Sequence, residues 1–133
     1  MGAYQTVPRI AALINLPQLQ MLGGIQPNSW LGPWISDSLL GILTPIMAYL
    51  AYKKRGIKLW GMLLIFNGLG AFDYIFGFAA QWSYPFISEK AMEAPAMIYG
   101  TLVSFFTFQV SAIVLLFRRD VVNYFSQSNV DRR

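Results

Sequence analysis

Two aspartates lie inside stretches of sequence that are otherwise almost entirely apolar. Asp37 is the one charged residue in residues 33–52, and Asp73 is the one charged residue in residues 59–80. A carboxylate placed in hydrocarbon is costly, so it generally has a specific partner or a function. The chemistry open to it is proton uptake and release, ion or ligand binding, acid–base catalysis, or a hydrogen bond that fixes helix packing.

The other residues of the sequence exclude some of these roles for the two aspartates. The sequence has no histidine and no cysteine, which removes the usual haem ligand, the commonest metal ligand, the usual general base and thiolate metal sites. No nucleophile, metal constellation or phosphate-binding loop accompanies the two acids. We therefore expect no catalytic residues, no metal and no cofactor, and we lean against an enzyme.

The elements that carry the aspartates are predicted to be membrane-spanning helices. Of the 133 residues, 56% are hydrophobic and 12% are charged, whereas a soluble domain carries about 25% charged residues. Segments of about 20 residues cover a hydrocarbon core of ~30 Å as helices. Three segments fit this length: 33–52, 59–80 and 96–117. A soluble protein with buried helices would need more polar segments to enclose them than this chain has.

A further apolar segment, residues 8–26, is interrupted by Pro17 and by several polar side chains. It is predicted either as a short, kinked first span or as an amphipathic helix in the interface, and the span is favoured. The predicted fold is therefore all-α, a polytopic membrane helix bundle with four transmembrane helices. One domain covers residues 1–120, and a polar cytoplasmic tail that frays at its end covers residues 121–133.

Basic residues predict the orientation of the bundle, because lysine and arginine collect on the cytoplasmic side. With four spans and both termini inside, nine of the ten basic residues lie on that side: Arg9, Lys53, Lys54, Arg55, Lys58, Arg118, Arg119, Arg132 and Arg133. Only Lys90 lies outside. We expect a multi-pass protein of a bacterial or archaeal cytoplasmic membrane that contacts the lipid bilayer and no nucleic acid.

Aromatic residues are predicted to mark the same two interfaces. The outer interface would hold Trp30, Trp34, Trp82 and Tyr84. The inner interface would hold Tyr52 and Trp60.

Small and polar residues recur along one face of each predicted helix, and such faces let helices approach closely. The second helix has a face formed by Asp37, Gly41, Thr44 and Ala48. The third helix has a face formed by Gly70, Asp73 and Gly77, with Asn67 at its edge. The last helix offers Gln109 and a group of hydroxyls on Ser104, Thr107 and Ser111.

These faces predict a small polar pocket between the helices. Its polar cluster, for ligand binding or for helix packing, comprises Asp37, Asn67, Asp73 and Gln109. The helix-packing glycines are Gly41, Gly70 and Gly77. Three interpretations compete for the cluster: hydrogen bonds that fix packing, a ligand, ion or proton site, and an enzyme with two carboxylates.

The packing interpretation is favoured. It makes the protein a structural or accessory subunit of a larger membrane assembly, whose partners are other membrane subunits or further copies of the chain. The alternative is a small-ligand-binding or proton- or ion-coupled membrane protein that uses Asp37 and Asp73 in its outer half.

The order of residues also resembles a family of small, uncharacterised four-span bacterial membrane proteins. The resemblance covers residues 8–119 and rests on three stretches, SDSLLGILTPIMAYLA, FNGLGAFDYIF and AIVLLFRRD. It implies a four-helix membrane fold and brings no assigned activity. The residues that it carries over are Asp37, Gly41, Asn67, Gly70 and Asp73.

Overall fold

The computed structural model describes residues 26, 28–85 and 95–126. This part of the chain contains four α-helices and no strand. They are α1 (Leu31–Lys53), α2 (Ile57–Ser83), α3 (Pro95–Leu116) and α4 (Arg119–Ser126). The predicted first span, residues 8–26, lies outside the described residues except for its last position.

Three of these helices are long and apolar enough to cross a membrane. Helices α1, α2 and α3 contain 23, 27 and 22 residues, which corresponds to roughly 33 to 40 Å of helix and exceeds a hydrocarbon core of ~30 Å. The prediction of helices of spanning length over residues 33–52, 59–80 and 96–117 is confirmed. Among the described residues no fourth helix reaches this length, because α4 has eight residues.

Helix α2 is the centre of the described fold. It packs against α1 on one side and, more extensively, against α3 on the other. The α2–α3 contact is antiparallel, and two aromatic pairs mark its register. The rings of Tyr74 and Phe105 stack with centroids 5.6 Å apart, and those of Phe78 and Tyr99 stack at 6.2 Å.

Two tryptophans tie the helices together at opposite ends. The Trp30 indole, just before α1, donates a hydrogen bond of 2.8 Å to the carbonyl of Tyr84, just after α2. The Trp60 indole, in the first turn of α2, donates one of 2.7 Å to the carbonyl of Leu116, the last residue of α3. Carbonyls at helix C-termini lack partners within their own helix, so both bonds satisfy groups that would otherwise need water. Trp30 is only 6% exposed, so its ring packs within the protein, and its position at the outer membrane interface stays a prediction.

The short connections α1–α2 and α3–α4 lie at the same end of the molecule. The Arg55 guanidinium, between α1 and α2, lies 4.1 Å from the centroid of the Tyr124 ring on α4. Gly56 has a φ of 136°, a conformation that favours glycine and allows the sharp change of direction into α2. We call this end the basic end, because the described lysines and arginines lie in or beside its two connections: Lys53, Lys54, Arg55, Lys58, Arg118 and Arg119.

Helix α4 occupies part of the segment that the sequence predicted as a polar tail. Phe125 is 6% exposed, and Val121 and Val122 are half-buried. These three residues share one face of a helix, while Asp120 and Asn123 are exposed on the other side. The apolar face packs against α2, so residues 119–126 belong to the folded bundle.

Candidate functional site

Asp73 lies in the contact between α2 and α1. Its side chain is 7% exposed and accepts a hydrogen bond from the Ser36 hydroxyl. The Ser36 oxygen also lies 3.1 Å from the carbonyl oxygen of Gly32 and 3.1 Å from that of Pro33. The buried carboxylate therefore has a donor on a neighbouring helix, as a charged group in a low-dielectric site requires.

The same geometry accommodates both protonation states of Asp73. A hydroxyl has one hydrogen to donate and lone pairs to accept with. When Asp73 is ionised, Ser36 donates to the carboxylate. When Asp73 is protonated, it can donate to Ser36, whose hydrogen can turn to the carbonyl of Gly32 or Pro33. The arrangement can hold two helices together, and it can also exchange a proton without leaving a group unpaired.

Asp37 follows Ser36 directly on α1. It is half-buried on α1, and consecutive residues point about 100° apart around a helix. Asp37 therefore points about 100° away from Ser36, the residue that donates to Asp73. That the two aspartates share one cluster stays a prediction.

Ser36 was missed by the sequence reasoning. The signal available was the run Ser36–Asp37–Ser38 inside an apolar segment. Three consecutive polar residues point in three directions, and periodicity on one helix does not say which direction the neighbouring helix takes.

Gln109 lies in the other interface of α2. A methyl group added at Gly70 would come within 2.7 Å of Gln109 Nε2, so the amide lies directly on this glycine. Asn67 donates through Nδ2 to the Leu63 carbonyl of its own helix at 2.7 Å. The described contacts of three of the predicted cluster residues lie in different places. Asp73 belongs to the α1–α2 contact, Gln109 to the α2–α3 contact, and Asn67 bonds within α2.

Two of the three predicted packing glycines, Gly70 and Gly77, lie in the contact between α2 and α3. A methyl group at Gly77 would lie 3.1 Å from Leu102 Cδ2, so Gly77, like Gly70, allows α3 to approach α2 closely. Gly41 is buried on α1.

The hydroxyls of α3 do not complete a pocket with Asp73. Ser104, Thr107 and Ser111 are exposed. Ser104 donates to the Gly100 carbonyl at 2.7 Å, and Thr107 donates to the Val103 carbonyl at 2.8 Å. In the described part of the chain these three hydroxyls therefore do not face Asp73. The reason is that α3 turns Gln109 toward α2 and its hydroxyls in the opposite direction.

Two further polar side chains are buried. Ser38 is fully buried and donates to the Trp34 carbonyl at 2.7 Å, and Gln81 is 3% exposed. Gln81 lies on the same face of α2 as Gly70 and Gly77, one turn after Gly77. Sequence reasoning ended the helix at residue 80, whereas α2 extends to Ser83, so this continuation was not considered.

Within residues 26, 28–85 and 95–126, no group of three or more acidic, histidine or cysteine side chains is placed to hold a metal ion. Comparison with models of protein families, with curated proteins and with solved structures finds no match to this chain. The resemblance to a four-span bacterial family is therefore not shown. What is shown is a chain whose described part is all-helical, with three helices that could span a membrane, the property of a multi-pass membrane protein.

Proposed function

We propose that this chain is a structural or accessory subunit that packs through α3 against another transmembrane helix of a larger membrane assembly. The observation that carries the proposal is the outward face of α3. It consists of four exposed small residues within a sector of roughly 60° on the helix: Gly100, Ser104, Thr107 and Ser111. Small residues at this spacing let two membrane helices approach closely.

This face suits helix packing because its described hydroxyl bonds are made within α3. Ser104 and Thr107 bond to carbonyls one turn earlier, so neither needs a polar partner on a neighbouring helix. The opposite side of α3 carries Leu102, Phe105 and Gln109, which pack on α2. One side of α3 is thus occupied within the chain, and the other presents a narrow, shallow surface.

The orientation and location are part of the proposal. We place the basic end, and with it both termini, on the cytoplasmic side of a bacterial or archaeal membrane. The charge of that end supports this orientation, since cytoplasmic loops carry an excess of lysine and arginine. A four-span fold of the kind described above for the bacterial family is compatible with it.

The test uses a photo-crosslinking residue at Ser104 or Ser111 on the small-residue face. Phe108, which is 64% exposed on a flank of the same helix, is the matched control position. In native membranes we expect one discrete adduct from both serine positions and little from Phe108. Equal labelling from all three positions, or purification as a lone monomer with a bound small molecule, contradicts the subunit role.

A second candidate function is favoured by the Ser36–Asp73 contact. A buried carboxylate whose partner serves both protonation states fits a small-ligand-binding or proton- or ion-coupled protein. In this candidate, Asp73→Asn leaves unfolding in detergent unchanged and abolishes the response to ligand or proton. If the packing role is correct, Asp73→Asn lowers stability instead.

A further inference from the structure

A cleft of about 600 Å³ opens at the basic end of the molecule. Lys54, Arg55 and Lys58 line it on the side of the α1–α2 connection, and Ser126, the last residue of α4, lines it on the other side. The connection and α4 come from distant parts of the sequence. Because α4 packs back against α2, its last residue closes one side of the cleft.

The side chains that line this cleft carry positive charges and no negative charge. None of the lining residues is acidic, and Lys54 and Lys58 form no ion pair with any residue that the structure describes. Arg55 is positioned by the Tyr124 ring at 4.1 Å. The first turn of α2 contains no acidic residue, so the partial positive charge of the helix N-terminus adds to the same field.

The deeper wall of the cleft is apolar. Leu50 precedes Lys54 by one turn of α1, and Met62 follows Lys58 by one turn of α2; both line the cleft. One turn corresponds to about 5.4 Å along each helix. Both helices thus present a cation at the end of the molecule and an apolar side chain one turn closer to the membrane interior.

We infer that this cleft binds the phosphate-bearing headgroup of one anionic phospholipid. The phosphate is held by Lys54 and Lys58 beside the Arg55 guanidinium, and the start of an acyl chain lies along Leu50 and Met62. Basic pockets between membrane helices bind lipid phosphates through charge, and arginine and lysine both bind phosphate oxygens. A free phosphate would use the same cations, but it would gain nothing from the apolar wall, and the apolar wall therefore favours the lipid.

The experiment measures lipid retention by the full-length protein in zwitterionic detergent, using native mass spectrometry. The probes are phosphatidylglycerol and phosphatidylcholine with identical acyl chains. We expect one phosphatidylglycerol to be retained at least tenfold more strongly than phosphatidylcholine. In the variant Lys54→Gln/Lys58→Gln this preference should fall on the order of tenfold, because two charges near the headgroup are lost.

A matched control removes two charges from the same end outside the cleft. Lys53→Gln/Arg119→Gln changes the net charge equally, and neither residue lines the cleft. It should change the preference less than about twofold. If both double variants lose the preference for phosphatidylglycerol equally, the site is overturned, since the preference would then depend only on the total charge of this end. Equal retention of the two lipids by the wild-type protein also overturns it.

A competition experiment decides whether the bound phosphate belongs to a lipid or to a soluble compound. Inorganic phosphate or glycerol phosphate at millimolar concentration should not displace phosphatidylglycerol if the apolar wall takes part. Displacement of the lipid by either soluble anion overturns the lipid proposal in favour of a soluble phosphate compound. If Lys54→Gln/Lys58→Gln does not fold, Lys54→Arg/Lys58→Arg should fold and keep the preference, and the wild-type measurements still decide the outcome.

Discussion

The hydrogen bond from Ser36 to Asp73 should contribute measurable energy to the contact between α1 and α2. Interhelical hydrogen bonds in membrane proteins couple by about 0.6 kcal/mol on average and up to about 1.7 kcal/mol. Bonds to an ionised acceptor are roughly twice as strong as neutral ones. Because Asp73 is a carboxylate that is 7% exposed, we expect a coupling free energy in the upper half of this range, about 1 to 1.5 kcal/mol.

The two single substitutions should differ in cost. After Asp73→Ala, Ser36 keeps the carbonyls of Gly32 and Pro33 at 3.1 Å as acceptors, so its hydroxyl is not left unpaired. The expected loss in the free energy of unfolding is about 1 kcal/mol. After Ser36→Ala, a buried carboxylate loses a donor, and the expected loss is about 1 to 3 kcal/mol. Asp73→Asn retains an acceptor oxygen and should cost less than Ser36→Ala.

The assay is equilibrium unfolding in detergent micelles for the wild type, both single variants and the double variant. Ser104→Ala is the control, because its hydroxyl is exposed and bonds only to its own helix at 2.7 Å. Its coupling to Asp73→Ala should be no more than about 0.3 to 0.5 kcal/mol. A Ser36–Asp73 coupling as small as that of the control would refute the assignment of this bond as an anchor between the helices.

The remaining predictions concern the contacts of α2 and use the same unfolding assay. Trp60→Phe should lower the free energy of unfolding by about 1 kcal/mol, because it removes the indole hydrogen bond to α3. The control Trp82→Phe, at a side chain that is 82% exposed, should stay within about 0.5 kcal/mol of wild type. Equal effects of the two substitutions would contradict a stabilising role for the Trp60 hydrogen bond. Gly68→Ala should stabilise α2 by up to about 1 kcal/mol, because nothing lies within 4 Å of the added methyl. Gly77→Ala should lose that gain or reverse it, since its methyl would lie 3.1 Å from a leucine methyl of α3; an equal gain at both glycines would show that the close approach of α3 is not needed.

The three long helices could be predicted from the sequence because their signal is local. A run of about 20 apolar residues is recognisable without knowing what surrounds it, and α1, α2 and α3 begin and end within a few residues of the predicted spans. Helix α4 was not predicted, because the eight residues after Arg118 have a mixed composition. Their apolar face becomes meaningful only when α2 is present to cover it.

The candidate site could be predicted only in part, for a geometrical reason. Asp73 was singled out as a residue that needs a partner, since a carboxylate in an apolar segment is costly wherever the helix lies. Its partner was not found, because Ser36 and Asp37 differ by one residue in sequence and by about 100° in direction. The rotation of one helix against another depends on side chains from both, such as Gly70 fitting under Gln109.

The sequence by itself therefore determined how many described segments are long and apolar enough to cross a membrane, where they begin and end, and which residues carry charge into them. These properties follow from the composition and length of each segment taken by itself. Only the tertiary structure decided which side chains meet: Ser36 with Asp73, Gln109 with Gly70, and Arg55 with Tyr124. Such contacts join residues far apart in sequence, and the packing of whole helices sets them.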